Sequence, residues 1–224
     1  MDDEILDEVE ELATRMPSEE LARLLEERAH AMAPGSPGRA AWLCYAGERW
    51  EMVDDFARAR ACFEEAVADG GETFLDPRAD LANALLELGE TARADELIAA
   101  LQRDAEAGKA GDFLHERVGE ILELHGRPDE AMEWFDGGLR HAQSGDPGAI
   151  DLGCLNGRFR VRRQLDLPLD RLDLLCEERR RDYGSGMDDE RRQLDLPGDT
   201  GPLPLTVLFW PAAEFDQVLR RWPG

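Results

Sequence analysis

The chain has 224 residues, 42% of them hydrophobic, which is enough to bury a core in one large or two small domains. Fifty Asp and Glu against 26 Lys and Arg give a net charge of -24. Such a surface repels phosphate backbones and anionic membranes, so conventional nucleic-acid and membrane-surface binding are set aside and the expected partners are basic.

The opening Met1-Asp-Asp-Glu lacks the basic region of a signal peptide, and no run approaches the ~18 apolar residues of a membrane span; a cytoplasmic location is expected. Ile5, Leu6, Val9, Leu12, Ala13 and Met16 form a stripe at helical spacing. Pro17 stops that helix, and Ser18 is expected to cap a second one carrying Leu21, Leu24, Leu25 and Met32. These helices make residues 1–36 an N-terminal extension, ended by the Pro34-Gly-Ser-Pro37 break.

A period follows. Ala59-x3-Phe63-x2-Ala66 recurs as Ala94-x3-Ile98-x2-Leu101 and as Ala131-x3-Phe135-x2-Gly138, at offsets of 35 and 37 residues. Upstream of each copy lies a second helical stretch with small residues midway: Ala46-Gly47 before Trp50, Ala82 before Leu85, Gly119 before Leu122. Leu152-x2-Leu155-Asn156-x2-Phe159 starts a fourth unit with a longer turn. Small residues let helix axes approach closely, and the large partner fills the adjacent hole.

This pattern resembles the tetratricopeptide repeat (TPR), a helix-turn-helix of about 34 residues. The resemblance implies an all-α solenoid over 37–181, with units near 40–73, 75–108, 112–145 and 146–181. Arg78 and Ile98 stand where the family prefers large aromatics, and the closing Pro is missing. Asp76-Pro77 and Asp146-Pro147 read as an N-cap followed by Pro at the first helical position.

Residues 182–204 are rich in Gly, Pro and Asp and read as a linker; 205–224 read as a strand followed by a short helix. The segment from Phe209 to Pro223 resembles a region of actinobacterial repeat proteins that continue into a zinc-binding SEC-C module. The module's cysteine cluster is missing, so no metal site is carried over. A near-exclusive use of Arg over Lys, with Lys109 the single lysine, is a bias expected of a GC-rich bacterial genome.

Cys44, Cys62, Cys154 and Cys176 lack the close spacing of a zinc knuckle and are expected to be buried free thiols. No nucleophile, phosphate-loop or dinucleotide motif is present, so neither an enzyme nor a cofactor is expected.

In TPR-like stacks the first helices line a concave groove. Phase places Cys44, Glu48, Glu51 and Met52 there, then Asn83, Leu86 and Glu87, then Glu116, Glu120, Glu123 and Leu124. The candidate partner-binding residues are Glu48, Glu51, Met52, Asn83, Glu87, Glu116, Glu120 and Glu123. Their acidity predicts a basic or amphipathic peptide or protein as partner. Two alternatives stay open: an acidic decoy that mimics DNA, and the regulatory part of a larger protein whose C-terminal zinc-binding module is missing.

The arginine-rich stretch 154–181 is expected to pair with the surrounding carboxylates. Arg162-Arg-Gln-Leu-Asp-Leu-Pro168 returns as Arg191-Arg-Gln-Leu-Asp-Leu-Pro197, and Asp-Leu-Pro reads as a helix stop.

Overall fold

The computed structural model describes residues 2–109, 111, 113–145 and 150–179. The linker, the strand-helix tail, the second Arg-Arg-Gln-Leu-Asp-Leu-Pro copy and the Asp146-Pro147 cap lie outside the described residues. The protein is all-α among the described residues. Among the described residues the regular elements are α1 (Asp2–Ala13), α2 (Ser18–His30), α3 (Arg39–Glu51), α4 (Phe56–Asp69), α5 (Pro77–Glu87), α6 (Thr91–Glu106), α7 (Leu114–Leu124), α8 (Pro128–Gly145), α9 (Leu152–Gln164) and α10 (171–179). They fall into two compact units, Met1–Arg127 with α1–α7 and Pro128–Gly224 with α8–α10.

Short polar side chains start several helices. Asp76 accepts a hydrogen bond from the Arg78 amide with Pro77 in the first turn, and Asp55 and Asp151 serve α4 and α9 the same way. The expectation for Ser18 is corrected. Extended Pro17 is the N-cap of α2, its carbonyl accepts from the Leu21 amide, and Ser18 is already the first helical residue. Ser18 therefore makes no side-chain cap.

One turn recurs. After α3, α5, α7 and α9, a residue in the left-handed region sends its amide back three residues, and the next amide reaches back five. The left-handed residues are Asp54, Gly89, Gly126 and Asp166. The longer bonds run from Asp55 to Trp50 (3.0 Å), Glu90 to Leu85 (2.8 Å), Arg127 to Leu122 (2.9 Å) and Leu167 to Arg162 (3.0 Å). This is the Schellman arrangement, which satisfies carbonyls that a helix end leaves orphaned. The Leu165-Asp166-Leu167 turn lies inside the first copy of the duplicated heptapeptide, so its helix stop is a structural one.

In the first unit α2 packs on α3, α3 on α4, α4 on α5 and α5 on α6, and α1, α3, α5 and α7 also lie alongside one another in that order. Small residues permit the approach. A methyl group built on Gly47 would come within 2.6 Å of the Phe63 ring, which is itself fully buried. Ala46, Ala59, Ala82 and Ala94 are buried completely or nearly so. Trp50 fills the same core and its indole N–H donates to Glu26 on α2 at 3.1 Å, while Arg58 lies 4.4 Å over its ring. In the second unit α8 packs on α9, with Gly157 against the buried Phe135 ring. All four cysteines are buried free thiols, and burial pushes the Cys62 thiol up to about 12.

Candidate partner-binding site

The side-by-side order of α3, α5 and α7 sets polar residues of three helices against each other. Residues three or four apart share a helix face, so Glu48 and Glu51, then Asp80, Asn83 and Glu87, project from successive helices toward their neighbours. Arg117 of α7 donates through Nε and Nη2 to Asp80 Oδ1 of α5, at 2.7 and 2.6 Å. The same Nη2 lies 3.7 Å from Glu51 Oε2 of α3. Asn83 Nδ2 donates to Glu51 Oε1 at 2.8 Å, and Asn83 Oδ1 lies 3.0 Å from His125 Nε2. His125 also stands 3.6 Å from Glu87. A polar ladder thus crosses all three helices.

Its charge is out of balance. Burial, then the nearby Asp80 carboxylate, pushes Glu48 up to about 8. Burial and Asp80 likewise push Glu51 up to about 7, against the opposing pull of Asn83 and Arg117. The Arg117 guanidinium is stabilised in its charged form because Asp80 and Glu51 outweigh its burial. Burial and Arg127 hold the His125 imidazole below its ordinary range, with Glu87 opposing. Both shifts run toward the protonated form of the two glutamates.

The sequence-derived residues divide into those facing outward and those spent internally. Met52 is 54% exposed, and Glu87 is exposed as well. Glu116, Glu120 and Glu123 are half-buried, and each already interacts within the protein. Asn83, expected at the partner's disposal, is instead buried and committed to Glu51 and His125. Glu51 is largely covered for the same reason, and Cys44 is buried. Sequence reasoning missed Asp80, Arg117 and His125. The 37-residue offset from Asp80 to Arg117 matches the period between the second and third units, a signal that placed them at equivalent positions.

Aromatic residues add a feature that helical periodicity does not encode. Phe74, in the loop before α5, stacks on Phe113 with ring centroids 5.6 Å apart, and both are more than half exposed. Phe113 has φ 64°, a left-handed conformation that bulky residues rarely hold. Phe74 borders a cleft of about 430 Å³ bounded also by Val67, Gly71 and Leu114. Phe74 also lines a small recess with Tyr45, Glu48 and Asp80.

Two arginines of the arginine-rich stretch, Arg158 and Arg162, pair with surrounding carboxylates. Arg158 contacts Asp136 at 2.7 Å, Asp170 at 2.6 Å and Asp173 at 3.3 Å. Arg162 reaches Asp173 at 2.9 Å and the Pro168 carbonyl at 2.5 Å. Among the described residues no group of three His, Cys, Asp or Glu could hold a metal ion, and no helix is long and apolar enough to cross a membrane. Comparison with protein-family models, curated proteins and solved structures gives no match to this chain.

Proposed function

We propose that the protein is a non-catalytic interaction module built as a TPR-like solenoid, and that the α3–α5–α7 face binds a basic or amphipathic segment of a partner protein. Four features support the solenoid: the repeated Schellman turn, the glycine-to-phenylalanine crossings, the small buried alanines and the lateral order of the odd helices. The observation that carries the binding role is the convergence of carboxyl groups from α3 and α5 on the bridging guanidinium of Arg117 on α7. A cationic segment would relieve that imbalance, and exposed Met52 and Leu124 offer apolar contact beside it.

The test is a titration with a labelled amphipathic helical peptide rich in Lys and Arg, followed by fluorescence anisotropy. Binding should weaken steeply as salt rises, because exposed charges are screened over about 8–10 Å at physiological ionic strength. Reversing Glu87, Glu116 and Glu123 to Lys should weaken it about tenfold or more while the helical signal persists. Binding that ignores both salt and charge reversal would remove this face as the site.

A further inference from the structure

The recess beside Phe74 has the chemistry of a cation site. Tyr45 and Phe74 supply two aromatic walls, and Glu48 and Asp80 supply two carboxyl groups. Glu48 is half-buried, and among the described residues its side chain forms no hydrogen bond and no ion pair. Both close Arg117 contacts to Asp80 fall on Oδ1. The free volume is about 20 Å³. A water-sized group needs about 10–15 Å³, so one such group fits.

Size discriminates between the two common cations. An ammonium is a compact point charge, whereas a guanidinium is a broad planar fork. We propose that this recess receives the ε-ammonium of one lysine from the partner protein, with Phe74 flanking the aliphatic stem. The inference rests on the α3–α5–α7 face being the docking surface for a basic segment, and it adds a preference for lysine at one position. A neighbouring apolar side chain of the partner would occupy the 430 Å³ cleft that Phe74 also borders. The chain's own basic residues are arginines except Lys109, so its arginine-rich segments are poor competitors for the recess.

The chemistry balances simply. Burial and Asp80 push Glu48 up to about 8, toward its protonated form. Entry of an ammonium stabilises the carboxylate, so Glu48 releases its proton to solvent while the lysine keeps its own.

Labelled octalysine and octaarginine, with unlabelled spermine as competitor, test this at pH 7 on the full chain. Octalysine should bind about tenfold more tightly than octaarginine, the scale of one charge-assisted contact. Glu48→Gln keeps the side chain's size and should erase that preference by weakening octalysine to the level of octaarginine. Phe74→Ala should weaken octalysine more than octaarginine. Calorimetry in buffers of different ionisation enthalpy should show proton release with octalysine, reduced in Glu48→Gln. Equal wild-type affinity for both peptides, or a preference that survives Glu48→Gln, overturns the recess and leaves the acidic face standing. Spermine matching octalysine overturns the assignment to a polypeptide lysine. Failure of both peptides to bind brings down the acidic face and the recess with it.

Discussion

Gly47 sits where a single added methyl group would run into a ring that cannot swing away. Helix propensity favours Ala over Gly by about 1 kcal/mol in a helix interior. Overpacking a close-packed core costs roughly 1–3 kcal/mol, and the Phe63 ring is fully buried at 2.6 Å from the added atom. Packing should win, so Gly47→Ala is expected to lose roughly 1 kcal/mol or more in urea unfolding. Phe63→Ala should lose roughly 3–5 kcal/mol through the cavity it leaves. A double variant, Gly47→Ala with Phe63→Leu, should recover part of the first loss, because a smaller side chain vacates the contested space. An unchanged or raised midpoint for Gly47→Ala would mean that the two helices do not cross there.

At the scale of elements, the recurrent turn sets two residue types against one backbone conformation. Gly89 and Gly126 hold positive φ without a Cβ, whereas Asp54 and Asp166 do so with one. Asp54→Gly and Asp166→Gly should therefore stabilise the protein, by about 0.5–1 kcal/mol each, and Gly89→Ala should destabilise it by about 1 kcal/mol. Thermal melts of the three variants check the ordering. The helix pairs were legible because a crossing leaves a sequence trace: a small residue, then a large one, at helical spacing. The Asp76-Pro77 start was legible too, since its bonds are local. Ser18 misled because Pro17 already supplies the extended cap residue. The Asp80–Arg117 bond was not legible, because it joins side chains on different helices and depends on how those helices pack. Phe74 escaped for another reason: it lies in a loop, where no period selects it.

For the whole molecule, the placement of carboxyl groups dictates how stability varies with pH. In the folded chain Glu48 and Glu51 release their protons near 8 and 7. In the unfolded chain both release them near 4.3, the ordinary value for glutamate (about). Between about pH 4.5 and 8 the folded state therefore binds more protons, and the free energy of unfolding falls as pH rises. Each group contributes at most about 1.4 kcal/mol per pH unit within its window. The acid side runs the opposite way and belongs to the second unit. Arg158 holds Asp170 down to about 2, so its stabilisation is present above about pH 4 and lost toward pH 2. A net charge of -24 adds general self-repulsion that also grows with pH. Salt separates the two alkaline effects, since it screens exposed charges far more than enclosed ones. Hydrogen exchange at pH 5, 6.5 and 8 should show protection of α3 and α5 declining with pH, in high salt as well as low. Glu48→Gln should raise protection at pH 8 and flatten the curve there. A variant curve that runs parallel to the wild type would show that Glu48 is ionised in the folded chain at neutral pH, and that the face meets its partner as bare carboxylates.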